Sequence, residues 1–260
     1  MPKAARSAEQ NTIRSLADLV ASVAVINAAL RLKCWWRGQS DVQWQLVPQA
    51  LRSRPDSFRE DSVIALFKQH APARHPNCPG PDDRFGWLLL MQHYRAPTRL
   101  LDWSESPLVA AYFAVVDCPD KDGALWCLNP YELNNRAAGR GTVFHAGHEL
   151  IGQFLDGAVD VAAGTVRPLE GAIAVAPDHI DSRLMTQQST FTIHANGKPL
   201  ERFLKSNTRA LQQLLIPAET KLTIRHQLDL AGIRRANLFP DLQSLAQELT
   251  DYKYGSYRPG

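Results

Sequence analysis

Arg37 and Gly38 are the first residues of this chain whose types and setting suit them to ligand chemistry. They lie in CWWRGQSDVQW, residues 34–44, a stretch that also holds three of the six tryptophans. The planar guanidinium of arginine binds phosphate or ribose oxygens through two hydrogen bonds, and a neighbouring glycine lets a ligand approach the backbone. An arginine in this setting is equally suited to a buried ion pair that only stabilises the fold. Both interpretations of Arg37 stay open.

A second group of polar and aromatic residues occupies HYRAPTRLLDWSESP, residues 93–107. Its candidates for binding or catalysis are His93, Tyr94, Thr98, Arg99, Asp102, Trp103 and Ser104. Aromatic rings stack on a nicotinamide or adenine ring, and Asp102 is the expected partner of Arg37 if that arginine forms an ion pair. No evident nucleophile accompanies His93, which favours a structural histidine over a general base.

A third group, Gln187 and Gln188, directly precedes the alternating segment STFTIHA. Neutral amides orient a ribose hydroxyl, but they stabilise a cationic centre less well than a carboxylate does. Gln188 is equally well explained as a turn residue. The segment HAGHE, residues 145–149, lacks the spacing that places two ligands on one helical face, so we predict no metal site.

Composition sets broad limits on the class of protein. The 260 residues are 45% hydrophobic and 21% charged, which is typical of one globular domain. A net charge of +3 without a run of lysines and arginines leaves nucleic acid possible as a ligand but does not indicate it. The four cysteines have neither disulfide nor zinc spacing, which favours a reducing cytoplasm.

Neither a secretion signal nor a membrane span is predicted near the beginning of the sequence. The first twelve residues lack an apolar core, and SLADLVASVAVINAAL is interrupted by Asp18 and Asn27 and is too short to cross a bilayer. We therefore expect no membrane partner. The same segment predicts a helix with one apolar face, formed by Leu16, Leu19, Val20, Val23, Ile26 and Leu30.

The remaining pattern mixes helices and strands without a strict βαβ rhythm, which predicts an α+β domain. Helices are expected from a capping box at Ser57 and Glu60 to about His70, over RFGWLLLMQHY after Asp82 or Asp83, over Leu108–Val116 after Ser106 and Pro107, over HELIGQFL, over TKLTIRHQLDLAGI, and over FPDLQSLAQEL. Strands are expected over Cys34–Trp36, over Ala124–Leu128 with Asn129-Pro130 as its stop, over GAIAVAP, and over a half-buried STFTIHA. RAPTRLLDWSESP is expected to be irregular, and Trp35 and Trp44 are expected in the core.

Two blocks of the sequence resemble the FRG domain family, which is found in bacterial proteins. They are WWRGQSDVQWQLVPQALR and QHYRAPTRLLDWSESPLVAAYFAV, followed by GALWCLNP. Trp36 stands where the family name has phenylalanine, and Arg95 stands where glycine is common. The resemblance implies an FRG domain over about residues 15–250, with tails at 1–14 and 251–260.

The order of motifs is also similar to that of the ADP-ribosyltransferase fold, in which an arginine, a serine or threonine, and an acidic residue surround NAD. This resemblance implies a mixed, continuous or split β-sheet flanked by helices, with NAD as cofactor. It assigns catalytic roles to Arg37, Thr98, Ser104, Gln187 and Gln188. It assigns cofactor contacts to Arg37, Gly38, Gln39, His93, Tyr94, Arg99, Asp102 and Trp103.

Two functions remain open from the sequence. The first is an NAD-using enzyme, a toxin or antiphage effector, that transfers ADP-ribose to a protein or nucleic acid or hydrolyses NAD, with a regulatory partner protein to complete the site. The second is a noncatalytic module that binds a nucleotide or nucleic acid. In both cases we expect Arg37, His93, Thr98, Arg99 and Asp102 to line one cleft, with Trp36 or Trp103 in its wall.

Overall fold

A computed structural model of the chain describes residues 11–52, 60–159, 171–178, 182–204 and 207–253. Their strands form one seven-stranded sheet in the order β4-β5-β6-β2-β1-β3-β7. The strands are β1 Trp35–Gln39, β2 Leu100–Ser104, β3 Gly123–Leu128, β4 Phe144–His145, β5 Ala172–Ala176, β6 Ser189–His194 and β7 Leu211–Ile216. All neighbouring pairs are antiparallel except β4 and β5. The predicted α+β class with a mixed sheet is confirmed.

Helices cover both faces of this sheet. They are α1 Leu16–Leu30, α2 Glu60–His70, α3 Arg84–His93, α4 Pro107–Val115, α5 Pro130–Ala138, α6 Glu149–Val159, α7 Ser182–Thr186, α8 Leu200–Phe203, α9 Lys221–Leu230, α10 Arg235–Leu238 and α11 Leu242–Lys253. Among the described residues, no helix combines the length and the apolar character that crossing a bilayer requires.

Polar side chains set the beginnings of these helices where the sequence predicted them. Ser106 accepts a hydrogen bond from the backbone N–H of Val109, and Pro107 occupies the first helical position of α4. Asp83 accepts from the N–H of Gly86 at the start of α3. The capping residue Ser57, predicted for α2, lies outside the described residues.

Helix α4 is the element that fixes the centre of the sheet. Its apolar sequence PLVAAYFAV packs against β1, and Val109, Ala110, Ala111 and Ala114 join one core cluster with Trp36. Small alanines let the helix lie close to the strand, because they add little side-chain volume between the two backbones. The segments that precede and follow α4 are therefore held against the same sheet.

Several sequence predictions differ from the structure. RAPTRLLDWSESP is not irregular throughout, because its LLDWS forms β2 with β6 as partner. Asn129-Pro130 ends β3, but Asn129 also caps α5, a helix that the sequence did not predict. STFTIH is buried along its whole length, not half-buried, because β6 lies inside the sheet between β5 and β2.

Further differences concern two large hydrophobic residues and one strand. Trp44 is 48% exposed, whereas Trp35 is buried as predicted. Val20 of the predicted apolar face of α1 is also exposed, while Leu19 and Ile26 are buried. Strand β7, with the sequence LQQLLI, had no predicted counterpart; two of its six residues are glutamines, which weakens the apolar signal of a strand.

Candidate functional site

The seam between β1 and β2 is an opening in the middle of the sheet. Strand β1 pairs with β3 along all five of its residues, yet it pairs with β2 only at Trp36 and Ser104. Where strands separate, backbone groups lose their partners and must find others. Arg37 supplies one of these partners, because its Nη1 donates a 2.6 Å hydrogen bond to the backbone carbonyl of Asp102.

A cavity of about 130 Å³ lies at this seam, between the strands and α4. Six residues that the sequence analysis assigned to the site line it: Arg37, Gly38, Asp102, Trp103, Ser104 and Gln187. Trp36 also lies in its wall, as predicted, and Arg183 and Ser189 add two further polar groups. Three neighbouring strands and the short helix α7 thus bring residues from distant parts of the chain to one place.

Arg37 and Asp102 form an ion pair that is open to solvent on one side. Arg37 Nη1 lies 3.7 Å from Asp102 Oδ2, and the two side chains are 17% and 58% exposed. Burial lowers the pKa of Arg37, Asp102 raises it, and Arg52 lowers it further. The guanidinium stays charged at neutral pH, because an arginine side chain is not deprotonated in proteins. Its Nε is buried without a hydrogen-bond partner among the described residues.

Gln92, at the end of α3, holds the Asp102 carboxylate from the other side. Its Nε2 donates to both carboxylate oxygens, at 3.0 and 3.1 Å. Its Oε1 accepts a hydrogen bond from the hydroxyl of Thr98, which is fully buried. Thr98 therefore lies behind the ion pair and does not line the cavity. The sequence analysis missed Gln92, although it begins the quoted block QHYRAPTRLLDW.

Ser104 and the glutamine pair lie next to each other, as the motif order implied. Their polar groups, however, make hydrogen bonds to backbone groups. Ser104 Oγ donates to the carbonyl of Gln187 at 2.6 Å and accepts from the N–H of Ser106. Gln187 Nε2 donates to the carbonyl of Leu238. Gln188 is exposed with φ of 46°, so it occupies a left-handed turn directly before β6.

Gly38 has a packing role that differs from the one expected. A Cβ at this position would lie 1.8 Å from the carbonyl oxygen of Ala110 and 2.6 Å from the nitrogen of Ala114. Gly38 therefore lets helix α4 approach the strand closely. This packing role replaces the expected one, in which Gly38 lets a ligand approach the backbone. The same contact explains how α4 comes near enough to form one wall of the cavity.

Several residues assigned to cofactor contacts lie elsewhere. Arg99 forms an ion pair with Glu60, and Gln39 accepts a hydrogen bond from Trp126 Nε1 at 2.7 Å. His93 and Tyr94 contact one another at the end of α3. None of these four lines the cavity. Of the five residues expected in one cleft, the structure brings only Arg37 and Asp102 to it.

A buried polar network lies below Trp103. The indole N–H of Trp103 donates to Thr192 Oγ1, which lies 3.0 Å from His194 Nε2. Burial, and then the charges of Arg37 and Arg99, lower the pKa of His194 to about 3. His194 is therefore neutral at physiological pH. The hydrogen-bonded chain from His194 through Thr192 holds Trp103 in place in the wall of the cavity.

The missed residue Arg183 belongs to α7, just before Gln187 and β6. Its guanidinium lies 4.9 Å from the centre of the Phe239 ring. Ser189, also missed, is the first residue of β6 and pairs with Ser104 across the sheet. Both positions become candidates only once β6 is known to lie beside β2.

A match to a known protein family covers the part of the chain that forms β1 and β2. Residues 32–123 match the family model of the FRG domain. This part of the chain is an FRG domain. It supplies Arg37, Asp102 and Ser104, whereas Arg183, Gln187 and Ser189 come from beyond the matched FRG segment. No curated protein and no solved structure matches the chain.

Proposed function

We propose that the β1–β2 seam binds NAD and that the protein is an ADP-ribosyltransferase-like enzyme. One observation carries this proposal: Arg37, Ser104 and Gln187 come from three separate sequence motifs and line the same cavity. The resemblance in motif order implies NAD for such a set. The Arg37 guanidinium lines the cavity and is 17% exposed, and its planar fork is suited to the oxygens of the diphosphate.

Asp102 supplies the carboxylate that the glutamine pair lacks. It is the acidic residue among those lining the cavity, and Gln92 fixes both of its oxygens. In the proposed reaction, the bond between C1′ of the ribose and nicotinamide breaks, and nicotinamide leaves with the electron pair. An acceptor nucleophile forms a new bond to C1′ and releases its proton, and a carboxylate stabilises the positive charge that develops at the ribose.

The size of the cavity limits how NAD can bind. Pockets that enclose drug-sized ligands have volumes of about 300–1,000 Å³. The cavity of about 130 Å³ holds only a part of the dinucleotide, so the rest lies over the open side of the seam or the seam widens. A partner protein that separates β1 from β2 would regulate such a site. Consumption of NAD in this way would suit a toxin or antiphage effector.

A second candidate function is a noncatalytic module that binds a nucleotide. Gln187 and Gln188 are neutral, and the hydroxyl of Ser104 already donates to a backbone carbonyl. A site whose polar groups are engaged in structural contacts is better prepared for binding than for stabilising a developing charge. Arg37 then binds the phosphates and Asp102 orients the guanidinium.

The two functions are separated by measuring NAD binding and nicotinamide release on the same protein. We expect wild-type protein to show a higher melting temperature with NAD, because a ligand that binds only the folded state stabilises it. We also expect release of nicotinamide, and label from the adenylate half on an acceptor when one is present. Binding without release would establish the module, and absence of both would refute the NAD-using enzyme and leave the noncatalytic module in its place.

Two variants test whether NAD binding and nicotinamide release take place at the seam. Arg37→Lys keeps the charge but loses the planar fork, so NAD binding should weaken. Asp102→Asn should retain NAD binding and lose nicotinamide release. The matched control is Arg209→Lys, at an exposed loop position outside the cavity. Equal effects of Arg37→Lys and Arg209→Lys would show that the seam is not the NAD site.

A further inference from the structure

A basic and aromatic surface lies at the carboxyl end of α3, next to the seam but outside its cavity. We call it the Tyr94 corner and define it by Arg74, His75, His93, Tyr94 and Arg95. The Tyr94 ring is 54% exposed and meets the rings of His75 and His93 edge to face, with centroids 5.9 and 4.9 Å away. Its hydroxyl lies 3.3 Å from His75 Nδ1. The corner therefore presents an oriented tyrosine to solvent.

Arg95 occupies a left-handed backbone position directly after α3. Its φ is 62°, in the left-handed region, which costs a non-glycine residue about 1 kcal/mol. The left-handed conformation ends α3, because the N–H groups of Arg95 and Ala96 donate to the carbonyls of Gln92 and Met91. The side chain is exposed, and among the residues that the structure describes its guanidinium has no hydrogen bond or ion pair. The charge of Arg95 is thus available to a ligand.

The two segments of sequence that form the Tyr94 corner are rich in basic residues and contain no acidic residue. The segments 68–78 and 92–99 contain no aspartate or glutamate. Their lysine, arginine and histidine residues are Lys68, His70, Arg74, His75, His93, Arg95 and Arg99. Arg99 is neutralised by Glu60, whereas Arg74 and Arg95 are exposed. This distribution attracts a polyanion.

The corner is supported by a small core of its own. Ala71, Trp87 and Leu90 form a buried cluster that joins the segment after α2 to helix α3. Trp87 Nε1 donates a 2.9 Å hydrogen bond to the carbonyl of Gly80, which anchors the intervening segment. A rigid support matters because a binding group that is already ordered loses less entropy when a ligand arrives.

We infer that the Tyr94 corner binds single-stranded nucleic acid, with an unpaired base stacked on Tyr94 and neighbouring phosphates bound by Arg95 and Arg74. Stacking on an exposed aromatic ring requires an unpaired base, and a base in a duplex has its faces covered by its neighbours. Arginines beside the ring supply the phosphate contacts that single-strand binding needs. His93 of the corner directly follows Gln92, which contacts Asp102 of the cavity, so a bound strand passes beside the seam.

The inference is tested by fluorescence anisotropy with labelled DNA and RNA oligonucleotides of about 16 nucleotides, the upper site size of single-strand-binding folds. The mixtures contain no NAD, so the result is independent of the proposed enzyme activity. We expect Tyr94→Ala to weaken binding about tenfold, since loss of one stacked base has an effect of this order. Tyr94→Phe should bind like the wild type, because the stacking face is retained.

Arg95→Gly should change binding and stability in opposite directions. Glycine relieves the left-handed strain, so the melting temperature should rise. Loss of one phosphate contact should weaken binding about fivefold and reduce the slope of log affinity against log salt by about 0.7 for a single strand. A stability gain without a binding loss would overturn the role of Arg95.

Arg31→Gly is the matched control. Arg31 is also an exposed arginine at the end of a helix, with φ of 54°, but it lies at the end of α1. It should raise the melting temperature to a similar extent and leave oligonucleotide binding unchanged. Equal weakening by Arg31→Gly and Arg95→Gly, preference for duplex over single strands, or no binding by wild-type protein would each refute the inference.

Discussion

Two arginine–carboxylate pairs flank the same strand and differ in their access to solvent. Arg99, just before β2, and Glu60 are 9% and 10% exposed, whereas Arg37 and Asp102 are 17% and 58% exposed. Glu60 accepts hydrogen bonds from the backbone N–H, Nε and Nη2 of Arg99, so the closed pair satisfies its own charge. Among the described residues, each pair leaves one buried arginine nitrogen without a hydrogen-bond partner, Nη1 of Arg99 and Nε of Arg37, and only the open pair keeps its carboxylate in water. A buried, closed pair supports the fold, and an open pair at a cavity is free to bind a ligand.

The largest effect expected from this comparison is on the buried pair. Glu60→Gln should lower the free energy of unfolding by about 3 kcal/mol or more, because it leaves the Arg99 charge buried without a counter-charge. Asp102→Asn, the same chemical change in the open pair, should lower it by less than about 1 kcal/mol. Urea unfolding of both variants measures the difference. Equal losses would show that solvent access does not distinguish the two pairs.

A smaller effect comes from His194, whose pKa is lowered by burial and by the arginines of both pairs. The folded protein keeps His194 neutral down to a pKa of about 3, whereas the unfolded chain takes up a proton below about 6.5. The unfolded state therefore binds more protons between these values, and stability falls as pH is lowered from 6.5 towards 3. Above pH 6.5 the contribution is fully present.

The measurement is the free energy of unfolding of the wild type and His194→Gln at pH 7 and pH 5. Wild-type protein should lose about 2 kcal/mol more than the variant over this interval, since each unit corresponds to about 1.4 kcal/mol per proton. Other titrating groups change both proteins alike, so the difference isolates His194. A loss that is equal in both proteins would mean that His194 is protonated in the folded state.

The sequence predicted the elements whose local signals agree with their packing. Ser106 and Pro107 opened an apolar helix, and ALWCL between polar segments predicted β3, because capping and continuous burial leave clear patterns. β2 escaped prediction, since its five residues LLDWS combine a carboxylate and a serine with apolar neighbours. The exposed Asp102 is tolerated in that strand because β1 separates from it there.

The site was less predictable than the fold, because the order of the strands in the sheet decides which side chains of the site meet. Arg37 and Asp102 could be expected to meet on the grounds of charge. Gln92 was missed because nothing in its local pattern shows that helix α3 ends beside β2. Thr98 and Arg99 lie close to Asp102 in sequence, yet their side chains contact Gln92 and Glu60 away from the cavity.

The smallest effect on stability is expected at the open pair itself. A fully buried ion pair at Arg37 would cost about 3 kcal/mol or more on Arg37→Ala, since a stranded carboxylate is costly. Asp102 is 58% exposed, so its carboxylate is solvated without Arg37, and the loss should be about 1–2 kcal/mol from the hydrogen bond and packing. Arg37→Lys should lose about 1 kcal/mol or less, because the charge and most of the aliphatic stem remain. Urea unfolding at neutral pH checks both values, with Arg209→Ala as the exposed control that should change stability little. A loss of 3 kcal/mol or more for Arg37→Ala, equal to that for Glu60→Gln, would make Arg37 a structural residue of the same kind as Arg99.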